Sequence, residues 1–147
     1  MQSHIADTLF HVKHIALIGA SDKADRASNQ VMAFLQHQGY RVYPVNPLVA
    51  GKEIHNERVY ACLADITAPI DMVDVFRQGD ALPEIVEQCH QLGIKRIWTQ
   101  LGVVHHGAEQ QAEQYGIDMI VDRCPKIEIP KLQSIKLLAD PVHQQPS

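Results

Sequence analysis

Gly19-Ala20-Ser21-Asp22 follow directly on the apolar run Ile15-Ala16-Leu17-Ile18, and a helical pattern resumes near Arg26. Small residues at a strand-to-helix turn leave backbone N–H groups open to an anion, and the positive end of the next helix dipole adds to them. The turn therefore predicts a phosphate cradle. Its spacing is not the G-x-G-x-x-G of a dinucleotide site, so it points to a nucleotide-like ligand while weakening NAD. Ser21 offers a hydroxyl and an N–H, and can also serve as a turn or cap residue. Asp22 could be a cap too. Arg26 reads either as a cation for a pyrophosphate or as a solvated surface residue.

Further candidates fall where later strands end. After Arg41–Val45, a dinucleotide domain would place Asp or Glu to hold the adenosine ribose. Here Asn46-Pro47 follow, and then Gly51-Lys52. A neutral amide with a nearby cation suits a phosphorylated ribose, as in NADP or coenzyme A, better than a free diol. At Val75-Phe76-Arg77 the ring could cover an adenine or a pantetheine arm, or pack in the core. At Trp98-Thr99-Gln100-Leu101-Gly102, Gln100 and the backbone near Gly102 could bond the amides of an extended ligand; Trp98 suits a core position. Cys124-Pro125 end the series. Arg123 could favour the Cys124 thiolate, or the cysteine is simply a small buried residue.

The histidines give less. His105 and His106 are adjacent, so on a helix they would project about 100° apart, and no third ligand stands at metal spacing. His11 and His14, at i and i+3, read as a solvated pair. No nucleophile–base–acid set and no G-x-S-x-G elbow is present, so no catalytic or metal-binding residue is assigned.

The elements that must position these groups alternate. Residues 1–14 read as a lead-in helix or turn. Strands are expected at 15–18, 41–45, 71–76, 95–99 and 117–121. Helices are expected from Ser28 to Gln38-Gly39, from Pro83 to Leu92 and from Glu109 to Tyr115, each stopping at a glycine. A polar loop is expected through Gly51-Lys52-Glu53, and a short helical piece at Cys62–Asp65. Strands alternating with helices predict an α/β, Rossmann-like, doubly wound and mainly parallel five-stranded sheet with helices on both faces. In such folds the ligand lies beyond the carboxyl ends of the strands, at the switch point.

The 147 residues predict a single domain, with a core of about 12–132 and a mobile C-terminal tail of about 133–147. The net charge of −4 argues against non-specific nucleic-acid binding. No apolar run reaches a membrane span, and no signal peptide is read at the N-terminus. Cys62, Cys89 and Cys124 form neither a disulfide framework nor a zinc ribbon. A cytoplasmic protein is expected.

Taken in order, Ile15–Lys23, Arg26 with Ser28, Tyr43–Pro47 before Gly51-Lys52, Val73–Arg77, Trp98–Gly102 and Asp122–Pro125 resemble the small bacterial CoA-binding proteins of the YccU-like type. These are similar to the N-terminal CoA-binding domain of the succinyl-CoA synthetase α subunit. The resemblance covers roughly residues 12–132. It implies that Gly19, Ala20, Ser21 and Asp22 hold CoA phosphates and that Lys52 meets a phosphate. It sets Val75, Phe76 and Arg77 beside the adenine and the arm, Thr99 and Gln100 along the arm, and Cys124-Pro125 near the thiol end. The synthetase's phosphorylated histidine and nucleotide-grasp subunit have no counterpart here, so ligase activity is not implied. The expected function is binding of CoA or an acyl-CoA without catalysis. The rivals are a small NAD(P)-dependent enzyme and a thiol or acyl-transfer enzyme using Cys124.

Overall fold

The computed structural model describes residues 1–144. In chain order the elements are α1 (Gln2–His11), β1 (His14–Ile18), α2 (Ala27–His37), β2 (Arg41–Val45), β3 (Glu53–Ile54), β4 (Glu57–Arg58), β5 (Met72–Val75), α3 (Leu82–Leu92), β6 (Arg96–Thr99), α4 (His106–Gln114), β7 (Asp118–Ile120) and α5 (Pro125–Ser134). Five strands form one parallel sheet in the order β2-β1-β5-β6-β7, the α/β Rossmann-like architecture expected. β3 and β4 form a separate antiparallel hairpin.

The strand alternation divides the core. Ile15, Leu17, Met72, Trp98 and Ile120 share one cluster with apolar residues of α1, α2 and α5. Ala16, Ile18, Val73, Val75 and Ile97 share the other with α3 and α4. Strands buried on both faces need near-continuous apolar runs, and these strands supply them. β2 lies at the edge of the sheet and contains Pro44. The Pro44 carbonyl accepts from Tyr60 N at 2.9 Å, and Asn46 N donates to Tyr60 O at 2.9 Å, so residue 60 covers this edge. The N and O of one strand residue point the same way, so the N–H that proline lacks falls on the outer side, where the sheet needs no donor.

Several local expectations change. Helix α4 begins at His106, with the His105 ring as its cap: Nδ1 accepts from Ala108 N at 3.0 Å. His14 belongs to β1, so it shares no helix with His11. Helix α5 was not expected; Pro125 opens it, and Pro130 within it is tolerated beside the buried Ile129 and Leu132. The loop expected at 51–53 holds for Gly51 and Lys52, whereas Glu53 opens the β3–β4 hairpin, which turns at His55 and Asn56 with φ of 48° and 68°.

The expected mobile tail is corrected over the described residues. Leu138 and Val142 are 8% and 6% exposed. Gln38 Oε1 accepts from Val142 N at 2.9 Å, and His143 N donates to Gln38 O at 2.9 Å. A Cβ on Gly39 would stand 2.2 Å from the His143 carbonyl oxygen, so only glycine allows this return. Of the aliphatic residues Ile135, Leu137, Leu138 and Val142, only Leu138 and Val142 are buried, so the stretch carries no regular apolar pattern. Residues 145–147 of the expected tail lie outside the described residues.

Asp74 is the anomaly of the sheet. It stands in β5 between Leu17 and Trp98 in register, fully buried, and neither carboxylate oxygen has a hydrogen-bond partner among the described residues. Burial pushes its pKa up to about 8. The folded chain therefore keeps a proton that the unfolded chain, with a pKa of about 4, releases between those two values. Stability from this group is full below about pH 4 and is lost as the pH rises toward 8. Asp74→Asn should match the wild type in melting temperature near pH 4 and exceed it increasingly up to pH 9. A difference independent of pH would show that Asp74 stays charged and partnered.

Candidate functional site

From β1 the chain passes through α2 to β2 on one side, and β5 lies on the other side of β1. The switch point is therefore the gap between the carboxyl ends of β1 and β5. The loop after β1 crosses that gap in close contact with β5. Gly19 has φ of +91°, and a Cβ there would lie 3.0 Å from the Phe76 carbonyl carbon and oxygen. No other residue fits this backbone.

The loop amides are divided between structure and cavity. Gly19 N and Ala20 N both donate to Val45 O, at 3.0 and 3.2 Å. These two N–H groups are therefore not open to an anion, which corrects the expectation for Gly19 and Ala20. The next two behave differently. Asn46 Nδ2 donates to Ala20 O at 2.7 Å, and Asn29 Nδ2 donates to Ser21 O at 2.9 Å. A trans peptide points its C=O and N–H in opposite directions. With both carbonyls held by asparagines, the N–H groups of Ser21 and Asp22 point away from Asn46 and Asn29; both residues line a cavity at the start of α2. Ser21 Oγ accepts from Lys23 N at 3.1 Å, which gives it a turn role alongside any ligand contact.

That cavity has a volume of about 510 Å³, and Lys23, Arg26 and Phe76 are also in its wall. The first turn of α2 opens onto it at Ala27 and Ser28, and its N-cap, Arg26, makes no side-chain capping bond. Uncapped amides and the positive end of the helix dipole both favour an anion. Lys52 Nζ lies 3.6 Å from Asp22 Oδ2, an exposed pair of little energetic weight that can open toward a stronger anion. In a chain of net charge −4, this edge sets Lys23 and Arg26 beside a single lining carboxylate, Asp22.

A second cavity, of about 530 Å³, shares Gly19, Asn46 and Leu48 with the first. Its walls include Ile18, Val45, Leu63 and Ile85, with Arg77, Glu84, Gln88 and Cys62 adding polar groups. Ala81, Glu84, Ile85 and Gln88 enter from the third helix region at i, i+3, i+4 and i+7 spacing, a signal present in the sequence and not used. Together the two cavities suit an elongated ligand, anionic in one part and apolar or flat in another.

The remaining candidates are divided. Val75 is buried in β5, and Phe76 and Arg77 take different cavities. Thr99 is 0% exposed; its Oγ1 donates to Val103 O at 2.7 Å and accepts from Asp122 N at 2.9 Å, so the hydroxyl braces the loops after β6 and β7. Gln100 N donates to Val75 O at 3.1 Å, and its buried Oε1 has no partner among the described residues. Cys124 is 7% exposed, packs in the core cluster with Trp98 and Ile129, and lines neither cavity. The Arg123 guanidinium lies 3.2 Å from Glu128 Oε1 and is committed to that carboxylate. Among the described residues, no group of three or more His, Cys, Asp or Glu side chains is placed to hold a metal ion.

A doubly wound parallel sheet with a crevice at its switch point defines a Rossmann-like α/β class. Within that class the chain belongs to the CoA binding domain family, whose pattern it matches over residues 13–130. It is 34% identical over 126 residues to the uncharacterized protein YneT of Bacillus subtilis, covering 86% of this chain and 92% of that one. It is 30% identical over 128 residues to the alpha subunit of the ADP-forming acetate–CoA ligase I of Pyrococcus furiosus, covering 78% of this chain but 28% of that subunit. A hypothetical protein from Pyrococcus horikoshii superposes with a TM-score of 0.86 at 34% identity, over 90% of this chain and 92% of that one. A Thermus thermophilus structure, cell-free ID.343, gives 0.85 at 34% identity, over 90% and 98%. No helix of the described residues is long and apolar enough to cross a membrane.

The cysteines separate by position. Cys62 is exposed, whereas Cys89 and Cys124 are buried, and burial pushes the Cys89 thiol up to about 12. Alkylation of the native protein should therefore mark Cys62 first and reach the other two only on unfolding. Peptide mass spectrometry that finds Cys124 modified as fast as Cys62 would contradict this burial.

Proposed function

We propose that the crevice binds CoA or an acyl-CoA as a non-covalent ligand, without chemistry supplied by this chain. The observation that carries the reading is the cavity at the uncapped start of α2, lined by Ser21, Asp22, Lys23 and Arg26. A pyrophosphate would take the Ser21 and Asp22 amides and the charges of Lys23 and Arg26. Lys52, released from Asp22, would meet the ribose phosphate. The base would enter the apolar-walled second cavity beside Arg77. The pantetheine arm would leave past Phe76 toward Gln100 and the Cys124-Pro125 turn.

The rival readings draw less support. A dinucleotide domain needs a carboxylate after β2 for the ribose diol. This chain has Asn46 there, and its amide is occupied by Ala20 O and Leu48 N. Thiol or acyl transfer at Cys124 would need an accessible sulfur, whereas Cys124 is packed in the core and Arg123 is paired with Glu128. The ligase relation concerns a protein of which this chain spans 28%. The proposal is therefore the binding module and not the ligase reaction.

Calorimetric titration with CoA, dephospho-CoA, NAD and NADP tests the reading. CoA should bind most tightly. Lys52→Ala should weaken CoA by about tenfold, the loss of one charge-assisted hydrogen bond, and leave dephospho-CoA nearly unchanged. Saturable NAD binding with none for CoA would overturn the reading. Equal losses for CoA and dephospho-CoA would remove Lys52 from the ribose phosphate.

A further inference from the structure

The β3–β4 hairpin touches the loop after β1 indirectly. At its turn, His55 Nε2 lies 2.9 Å from Asn29 Oδ1 and 3.1 Å from Asn29 O. The hairpin is tied to α2 a second time, where Gln36 Nε2 donates to His55 O at 3.1 Å. Asn29 is buried, and its other amide end donates to Ser21 O.

We propose that His55 is a positioning residue for the phosphate site, setting the direction of the Asp22 N–H through Asn29; the proposal rests on the CoA reading for its ligand. An asparagine amide has an accepting end and a donating end, and its rotation decides which of them faces Ser21. A proton on His55 Nε2 requires the oxygen of Asn29 on its own side, leaving Nδ2 for the Ser21 carbonyl. That carbonyl is then held inward. The planar peptide joining Ser21 to Asp22 must point its N–H outward, away from Asn29. Without His55, Asn29 can turn over and present its oxygen to the Ser21 carbonyl, which repels it and frees the peptide to rotate. Because Lys52 stands at the base of the same hairpin, one short element sets both a donor and a cation of the site.

The test compares the wild type with His55→Ala and His55→Gln, the glutamine retaining a side-chain N–H. In ligand-free protein, His55→Ala should shift the Asp22 backbone amide resonance, and His55→Gln should bring it back toward the wild-type position. In titrations, His55→Ala should weaken CoA and dephospho-CoA by the same factor, about five- to tenfold, and His55→Gln should recover most of it. An unmoved Asp22 resonance in His55→Ala overturns the proposal. So does equal weakening by both variants, which would mark a merely structural residue, or unchanged affinity in His55→Ala. If the wild type binds no CoA, the functional reading falls, and the Asp22 resonance still decides the relay.

Discussion

A trans peptide group cannot turn its carbonyl and its N–H to the same side, and the crevice is built on that constraint. Val45 O collects the amides of Gly19 and Ala20 and so ties the exit of β1 to the exit of β2. Asn46 and Asn29 then draw the next two carbonyls inward. What remains for a ligand is the opposite edge of two successive peptides. The geometry needs no unusual residue at Ser21 or Asp22. It needs glycine at position 19, where the loop presses on the Phe76 backbone, and an amide side chain on each flank.

The electrostatics of the fold are local and not global. The chain carries a net charge of −4, yet Lys23 and Arg26 line one cavity and Lys52 stands across the loop from Asp22. The start of α2 adds its dipole at the same place, reinforced by the missing side-chain cap. Helix α4 shows the contrast: there the His105 ring occupies an amide of the first turn. A helix whose start is filled by its own cap has little left to offer an anion. Asp74 illustrates the reverse case, a potential charge placed where the sheet interior keeps it neutral.

The main sheet was legible because each of its strands is a short apolar run stopped by Gly, Pro, Asn or a polar turn, and the switch-point rule then located the loops. Short and mixed-signal elements were not. Helix α5 carries Pro125 at its start and Pro130 within it, and proline generally disfavours a helix interior. The strands of the hairpin are too short to show a period of two. Gly19, Ser21, Asp22, Arg26, Asn46, Phe76 and Arg77, expected from their places after the strands, line the two cavities. The sequence could not show that Val45 takes the Gly19 and Ala20 amides, because that depends on the register of β2 against β1. Nor could it show that the Thr99 hydroxyl is spent on Val103 and Asp122, or that His55 reaches Asn29 from 26 positions away. Those contacts are made by tertiary packing and leave no local pattern.

The covering of β2 has a consequence for how copies of this protein can meet. Exposed strand edges act as templates for further strands. At Pro44 the outer side of β2 has no donor to offer, and the Pro44 carbonyl and the Asn46 N–H are already taken by residue 60. The carboxyl end of this edge is therefore closed to a further strand. The opposite margin of the sheet is β7, which spans only Asp118–Ile120. An edge that short offers few rungs to a strand from a neighbouring chain.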